Sequence, residues 1–172
     1  MSRVILGVDP GLTRCGFGII RAAGTRIEFI DAGVIRTGTE LAPDERLHGV
    51  WLALVALIDR HKPDAIAVER VYAQANLRTV MGTAQVSGLA LTIARLNDIA
   101  VTTYTPTEMK AAVTGSGRAD KAQVTTMVQR LLKLAAPVKP ADASDALGLA
   151  ICHAWRGEAN ERIGRAVAAV RR

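Results

Sequence analysis

The chain has 172 residues, 49% of them apolar, with 22 Lys and Arg against 16 Asp and Glu for a formal net charge of +6. That length fits one compact domain with a sizeable core, while the longest apolar stretch, 50–58, is far shorter than the ~18 residues a membrane span needs. Two cysteines without a C-x-x-C pair argue against a zinc or disulfide framework, and two each of Trp, Tyr and Phe are too few for a single-strand stacking platform.

Arg3 to Asp9 and Cys15 to Arg21 are apolar runs separated by Pro10-Gly11-Leu12-Thr13-Arg14, the pattern of a hairpin. A third run, Arg26 to Thr37, follows Ala23-Gly24-Thr25 and extends the antiparallel meander. The period then changes. Leu47, Val50, Trp51, Leu54 and Ile58 fall at helical spacing, and Pro43-Asp44-Glu45 favours a first turn, so a helix is expected over 43–60. Asp64 to Glu69 has the composition of a buried strand, followed by a helix over about 73–97 and a strand from Ala100 to Tyr104.

Thr105-Pro106-Thr107-Glu108 has capping-box spacing with Pro at the first helical position, and Asp120-Lys121-Ala122-Gln123 repeats the spacing in a weaker form. Val124, Met127, Val128, Leu131 and Leu132 make the apolar stripe of the second of these helices, ended by Pro137 and Pro140. A last helix is expected from Asp142 to Ala154. Residues 156–172, with five Arg and two Glu among alanines, suit a basic tail that is weakly helical or frayed, leaving 1–155 as the folded domain. The chain enters a strand pattern at once, without a signal-peptide layout, which points to a cytoplasmic protein with no membrane association and reduced, buried Cys15 and Cys152.

Four acids stand where acids do not belong by default. Asp9 closes the apolar run Val4–Val8, Glu69 closes Ala65–Val68, and Asp142 and Asp145 open the last helix. If the first strand lies beside the fourth in a mixed sheet, Asp9 and Glu69 finish at one edge, and acids three apart on a helix share a face that can aim at the same point. Two carboxylates ~4 Å apart repel by roughly 4 kcal/mol at an effective dielectric of about 20, so such a cluster calls for divalent cations. Mg²⁺ takes oxygen ligands and keeps waters, and two ions about 3.5–4 Å apart activate a nucleophile and stabilise a leaving oxygen together. With these four acids set aside, twelve remain against 22 basic residues, a balance that fits a polyanion. Each acid also has an ordinary structural reading: Asp9 as a turn residue, Glu69 in a salt bridge with Arg70, Asp142 as an N-cap with Asp145 in the first turn.

Taken in order, Gly7-Val8-Asp9-Pro10-Gly11, Val68-Glu69-Arg70-Val71-Tyr72, Lys110-Ala111-Ala112-Val113-Thr114-Gly115, Asp120-Lys121-Ala122-Gln123-Val124 and Ala141-Asp142-Ala143-Ser144-Asp145-Ala146-Leu147 closely resemble the RuvC-type Holliday-junction resolvases. The resemblance spans residues 3 to about 155. It implies an α/β, ribonuclease-H-like fold with a five-stranded mixed sheet, antiparallel hairpins then parallel strands, flanked by helices. It also implies a homodimer that nicks four-way DNA junctions at two symmetric positions during recombination and repair, and partnership with the branch-migration proteins RuvA and RuvB.

By that likeness Asp9, Glu69, Asp142 and Asp145 would hold two Mg²⁺, or Mn²⁺ in their place. Lys110 and Lys121 match basic positions near the DNA backbone, and Lys121 follows the loop Gly115-Ser116-Gly117-Arg118 at a helix start, where its ammonium and free backbone N–H groups would face phosphate. Tyr72 matches an aromatic near the exchange point, with Arg70, Gln74, Asn76, Arg78 and Arg118 as further candidates for the DNA surface. Ala84 and Gly88, small residues one helical turn apart, suit either a dimer contact or internal packing. Three other readings compete: a related nuclease on structured RNA, a DNA-binding module without catalysis, and an actin-like phosphotransferase fragment. The last rests on Asp9-Pro10-Gly11-Leu12-Thr13, which also fits a D-x-G-x-T phosphate motif, but one domain is half of what such proteins close over a nucleotide.

Overall fold

A computed structural model describes the backbone of residues 2–71 and 77–170, and the side chains of residues 2–71 and 80–157. The elements in chain order are β1 (Arg3–Asp9), β2 (Arg14–Ala23), β3 (Arg26–Arg36), α1 (Pro43–His61), β4 (Ala65–Glu69), α2 (Leu77–Leu96), β5 (Ala100–Tyr104), α3 (Pro106–Thr114), α4 (Lys121–Leu131) and α5 (Ala141–Val170). The five strands form one sheet in the order β3-β2-β1-β4-β5. β1, β2 and β3 pair antiparallel, whereas β4 and β5 join parallel to β1. The expected mixed sheet is therefore observed, with the first strand beside the fourth.

Strand alternation divides the core into two. Leu6, Val8, Ile19, Ile66 and Val68 face α1 and α2, packing with Val50, Leu54, Ile58, Val86 and Ile93. Ile5, Ile20, Ala67 and Tyr104 face the other way, onto α3, α4 and α5, packing with Met109, Val113, Val124, Leu147 and Ile151. Asp9 and Glu69 stand two residues beyond Gly7 and Ala67, so their side chains share the face that carries α5. Cys15 and Cys152 are buried free thiols, as expected.

Both expected capping boxes form. Thr105 Oγ1 accepts from Glu108 N at 3.0 Å while Glu108 Oε2 accepts from Thr105 N at 2.8 Å. Asp120 Oδ1 accepts from Gln123 N at 2.8 Å, with Gln123 Oε1 accepting from Asp120 N at 2.9 Å. Two boundaries differ from the sequence reading. α4 stops at Leu131, before either proline, and Lys133 takes a left-handed φ of 53°. α5 continues past Ala154 to Val170, because an Ala- and Arg-rich segment has high helix propensity and nothing in it stops the helix. Among the described residues no helix is long and apolar enough to cross a membrane.

Candidate active site

Glycines set the position of α5. Gly7 on β1 lies opposite Gly18 on β2, and Asp9 lies opposite Gly16. A Cβ at position 7 would run into the backbone of Ala146, one at 16 into that of Asp142, and one at 18 would stand 2.6 Å from Leu147 N. Three bare positions on one face therefore let the helix lie directly on the sheet. Its first turn comes down over the end of β1, and Asp142 and Asp145 arrive beside Asp9. β4 supplies Glu69 through the parallel register in which Val8 pairs with Val68.

The electrostatics show the convergence. Burial first, and then the charges of Glu69, Asp145 and Asp142 in that order, together push the Asp9 carboxyl up to about 8, against a smaller opposing effect of Lys121. Glu69 is also raised, first by burial and then by Asp145, with Lys121 and Lys110 opposing. Asp145 is raised by burial, partly offset by Lys121 and pushed up again by Asp142. These three acids thus feel their neighbours.

Two cations answer the two helix acids. Arg14, at the start of β2, donates to Asp142 Oδ2 through Nε at 2.8 Å and Nη2 at 2.6 Å. Lys121 Nζ stands 3.7 Å from Asp145 Oδ2. The ordinary readings fare poorly here. Asp142 lies inside the first turn of α5 and pairs with Arg14 rather than capping. Arg70 turns away from Glu69 to Thr103, with Nη2 3.2 Å from its Oγ1.

As the side chains stand, no group of three or more His, Cys, Asp or Glu among the described residues is gathered tightly enough to hold a metal ion. The donor set nevertheless suits one. It is all carboxylate oxygen, partly desolvated and mutually repelling, and hard divalent cations take such ligands.

Of the other expected residues, half-buried Lys110 on α3 and exposed Lys121 both act on the cluster. Arg118 is exposed in a separate polar groove with Ser116 and Arg130. The start of α4 does not offer all its N–H groups to a ligand, because Asp120 takes that of Gln123. Ala84 and Gly88 lie on the exposed side of α2. Tyr72, Gln74 and Asn76, and the side chain of Arg78, lie outside the described residues. Sequence reasoning missed Arg14 and the role of Gly7, Gly16 and Gly18; glycines inside strands are themselves a signal of close backbone approach.

Comparison with known proteins bears directly on this arrangement. A family model described as crossover junction endodeoxyribonuclease RuvC matches residues 5–153. The chain is 55% identical over 168 residues to the crossover junction endodeoxyribonuclease RuvC of Streptomyces griseus, covering 97% of this chain and 82% of that one. It is 56% identical over 168 residues to that of Frankia alni, covering 96% and 84%. Among solved structures, T. thermophilus RuvC in complex with Holliday junction substrate superposes with a TM-score of 0.85 at 26% identity, covering 92% of this chain and 96% of that chain. The fold is accordingly ribonuclease-H-like, and the chain belongs to the RuvC family of crossover junction endodeoxyribonucleases.

Proposed function

We propose that the chain resolves four-way DNA junctions by paired, symmetric phosphodiester hydrolysis, using Asp9, Glu69, Asp142 and Asp145 to hold Mg²⁺, with Mn²⁺ as a substitute. Membership of the RuvC family supports the endonuclease activity and the junction substrate, and sets aside the actin-like reading of Asp9-Pro10-Gly11-Leu12-Thr13. The observation that carries the residue assignment is the convergence of Glu69, Asp145 and Asp142 on buried Asp9, whose carboxyl they and burial hold well above the usual carboxylate range. Such a cluster is relieved by cations, and acids perturbed by burial and one another concentrate at functional sites.

When bound, the divalent ions supply Lewis acidity and an activated water. The chain's own residues do the rest. Asp9 and Glu69, fixed on the ends of adjacent strands, give a rigid pair of oxygen ligands, and Asp142 and Asp145 close the set from the helix. Lys110 and Lys121 offset part of the acids' charge in the metal-free chain and face the incoming phosphate backbone when ions take that place. Tyr72, Arg70, Arg78 and Arg118 extend the DNA surface.

Two opposed strands must be cut in a junction of approximate twofold symmetry, so a homodimer with an isologous interface suits the reaction, and exposed Ala84 and Gly88 on α2 leave room for close approach. We place residues 1–155 as the nuclease domain, a cytoplasmic setting for the enzyme, and RuvA and RuvB as its partners in the same reaction.

The test compares wild type with Asp142→Asn on a labelled synthetic junction and its linear duplex, with Mg²⁺ and with EDTA, mapping products on a sequencing gel. Paired nicks at symmetric positions, made by wild type only on the junction, are expected, with junction binding preserved in the variant. Normal cutting by Asp142→Asn would remove that residue from the site.

A further inference from the structure

The turn between β1 and β2 is strapped to the start of α1. Arg46 donates through Nε to Thr37 Oγ1 at 3.0 Å and through Nη2 to Thr13 Oγ1 at 2.6 Å. Thr37 also holds the turn directly, its hydroxyl donating to the carbonyl of Leu12 and its N–H to that of Thr13 at 3.3 Å. The neighbouring Glu45 is turned to the helix start, accepting from Ala42 N at 2.9 Å. Among the described residues Arg46 forms no ion pair. A half-buried guanidinium fixed by two neutral hydroxyls keeps its whole charge for something else.

That charge faces a groove of about 330 Å³, within the size range of small-ligand sites, lined by Gly11, Leu12, Thr13, Arg14 and Arg46 and, from α2, by Gly82 and Thr83. No acid lines it. Gly82 lets α2 close against the turn, since a Cβ there would lie 3.0 Å from the Cβ of Leu12. One wall is shared with the carboxylate cluster, because Arg14 lines the groove and also contacts Asp142.

We propose that this groove binds a backbone phosphate of the substrate strand, next along the chain from the phosphate at the carboxylates, with the guanidinium of Arg46 as its principal ligand. The proposal rests on the reading of the chain as a junction nuclease. The guanidinium groups of Arg46 and Arg14, with no acid beside them among the described lining residues, suit a tetrahedral anion, and the planar fork of arginine matches its oxygens. The bracing of Arg46 by Thr13 and Thr37 orders it beforehand, so little rotamer freedom is lost on binding. A strand that presents one phosphate to Asp9 and Asp142 carries its neighbour past Arg14 into the groove.

Junction affinity is measured by fluorescence anisotropy in EDTA as a function of salt, for wild type, Arg46→Gln and Arg46→Lys, with junctions in which single phosphates near the cut are replaced by neutral methylphosphonates. Removing one phosphate contact lowers the slope of log K against log salt by about one, so Arg46→Gln should show that loss and Arg46→Lys should not. One methylphosphonate position per cut strand should weaken wild type and leave Arg46→Gln indifferent. A purely bracing role would be lost in both variants, with the wild-type slope unchanged. Junction binding by wild type together with an unaltered slope and methylphosphonate profile in Arg46→Gln would overturn the groove alone. Failure of wild type to bind the junction at all would overturn the function proposed above, and this site with it.

Discussion

Gly16 lies opposite Asp9 across the β1–β2 pair and, on the same face, directly beneath the backbone of Asp142. The spacing between the sheet acid and the helix acid therefore depends on one missing side chain. In Gly16→Ala the new Cβ would stand 2.6 Å from the carbonyl carbon of Asp142, and α5 must lift at its first turn. Overpacking of this kind costs about 1–3 kcal/mol, whereas a ligand displaced by ~1 Å can cost on the order of 100-fold in rate. We expect a Tm lowered by a few degrees and cleavage reduced far more than the loss of folded protein accounts for. Cleavage that falls only in proportion to stability would show that α5 does not set the geometry of the acids.

Arg14 occupies the oxygen that a metal would need. Its Nη2 is 2.6 Å from Asp142 Oδ2, with side chains 41% and 23% exposed, so solvent screens the pair and its strength is modest. Removing the competitor in Arg14→Gln should tighten Mn²⁺ binding, by up to about fivefold if the pair contributes ~1 kcal/mol. Calorimetric titration of metal-free protein checks this without DNA. Weaker Mn²⁺ binding in the variant would mean that Arg14 orients Asp142 instead of competing for it.

Much of this architecture was legible in the chain because it depends on short-range pattern. Strand limits followed from apolar runs broken by Pro10-Gly11 and Gly24, and both capping boxes from residues three apart. The four acids were legible because each sits at the end of an apolar element, where an unpaired charge needs a reason. Arg14 and Arg46 were not, since their meaning lies in contacts to Asp142 and Thr13, which are 128 and 33 positions away. The length of α5 was also hidden. Its early turns carry an apolar face against the sheet, whereas from Arg156 onward only Ile163, Val167 and Val170 keep helical spacing among five arginines, too thin a pattern to fix where the helix ends.

Tyr104 ends β5 beside Glu69 in the β4–β5 register, and its hydroxyl meets His153 Nδ1 at 3.0 Å in the core. His153 lies on α5 eight residues beyond Asp145, so this bond ties the strand next to Glu69 to the helix carrying the other acids. Tyr104 is 1% exposed. Loss of one hydrogen bond from a buried pair costs about 1 kcal/mol or more, because the remaining partner stays desolvated. Tyr104→Phe should therefore lower the urea midpoint by that free energy divided by the m-value, with m itself unchanged. A variant as stable as wild type would show that the bond is replaced by another partner of His153.

The metal-free protein should lose stability as pH rises through neutrality. The Asp9 carboxyl titrates near 3.8 in an ordinary setting and at about 8 in the fold. Between those values the folded chain holds a proton that the unfolded chain releases, so ν_N exceeds ν_U and the slope of unfolding free energy against pH is negative. Stability from this group is complete below the lower value and declines until the upper one is passed. Glu69 and Asp145, both raised, act in the same direction. In EDTA, the Tm of wild type should fall between pH 5 and pH 8, and Asp9→Asn should be more stable at pH 8 with a flatter profile. Mn²⁺ at pH 8 should then restore wild type, because a ligand bound only by the folded state stabilises it, and do less for the variant. Since metal and proton compete for the same oxygens, the Mn²⁺ concentration needed for half the Tm gain should drop from pH 6 to pH 8. Equal pH profiles for wild type and Asp9→Asn in EDTA would show that Asp9 is solvated and carries no strained charge.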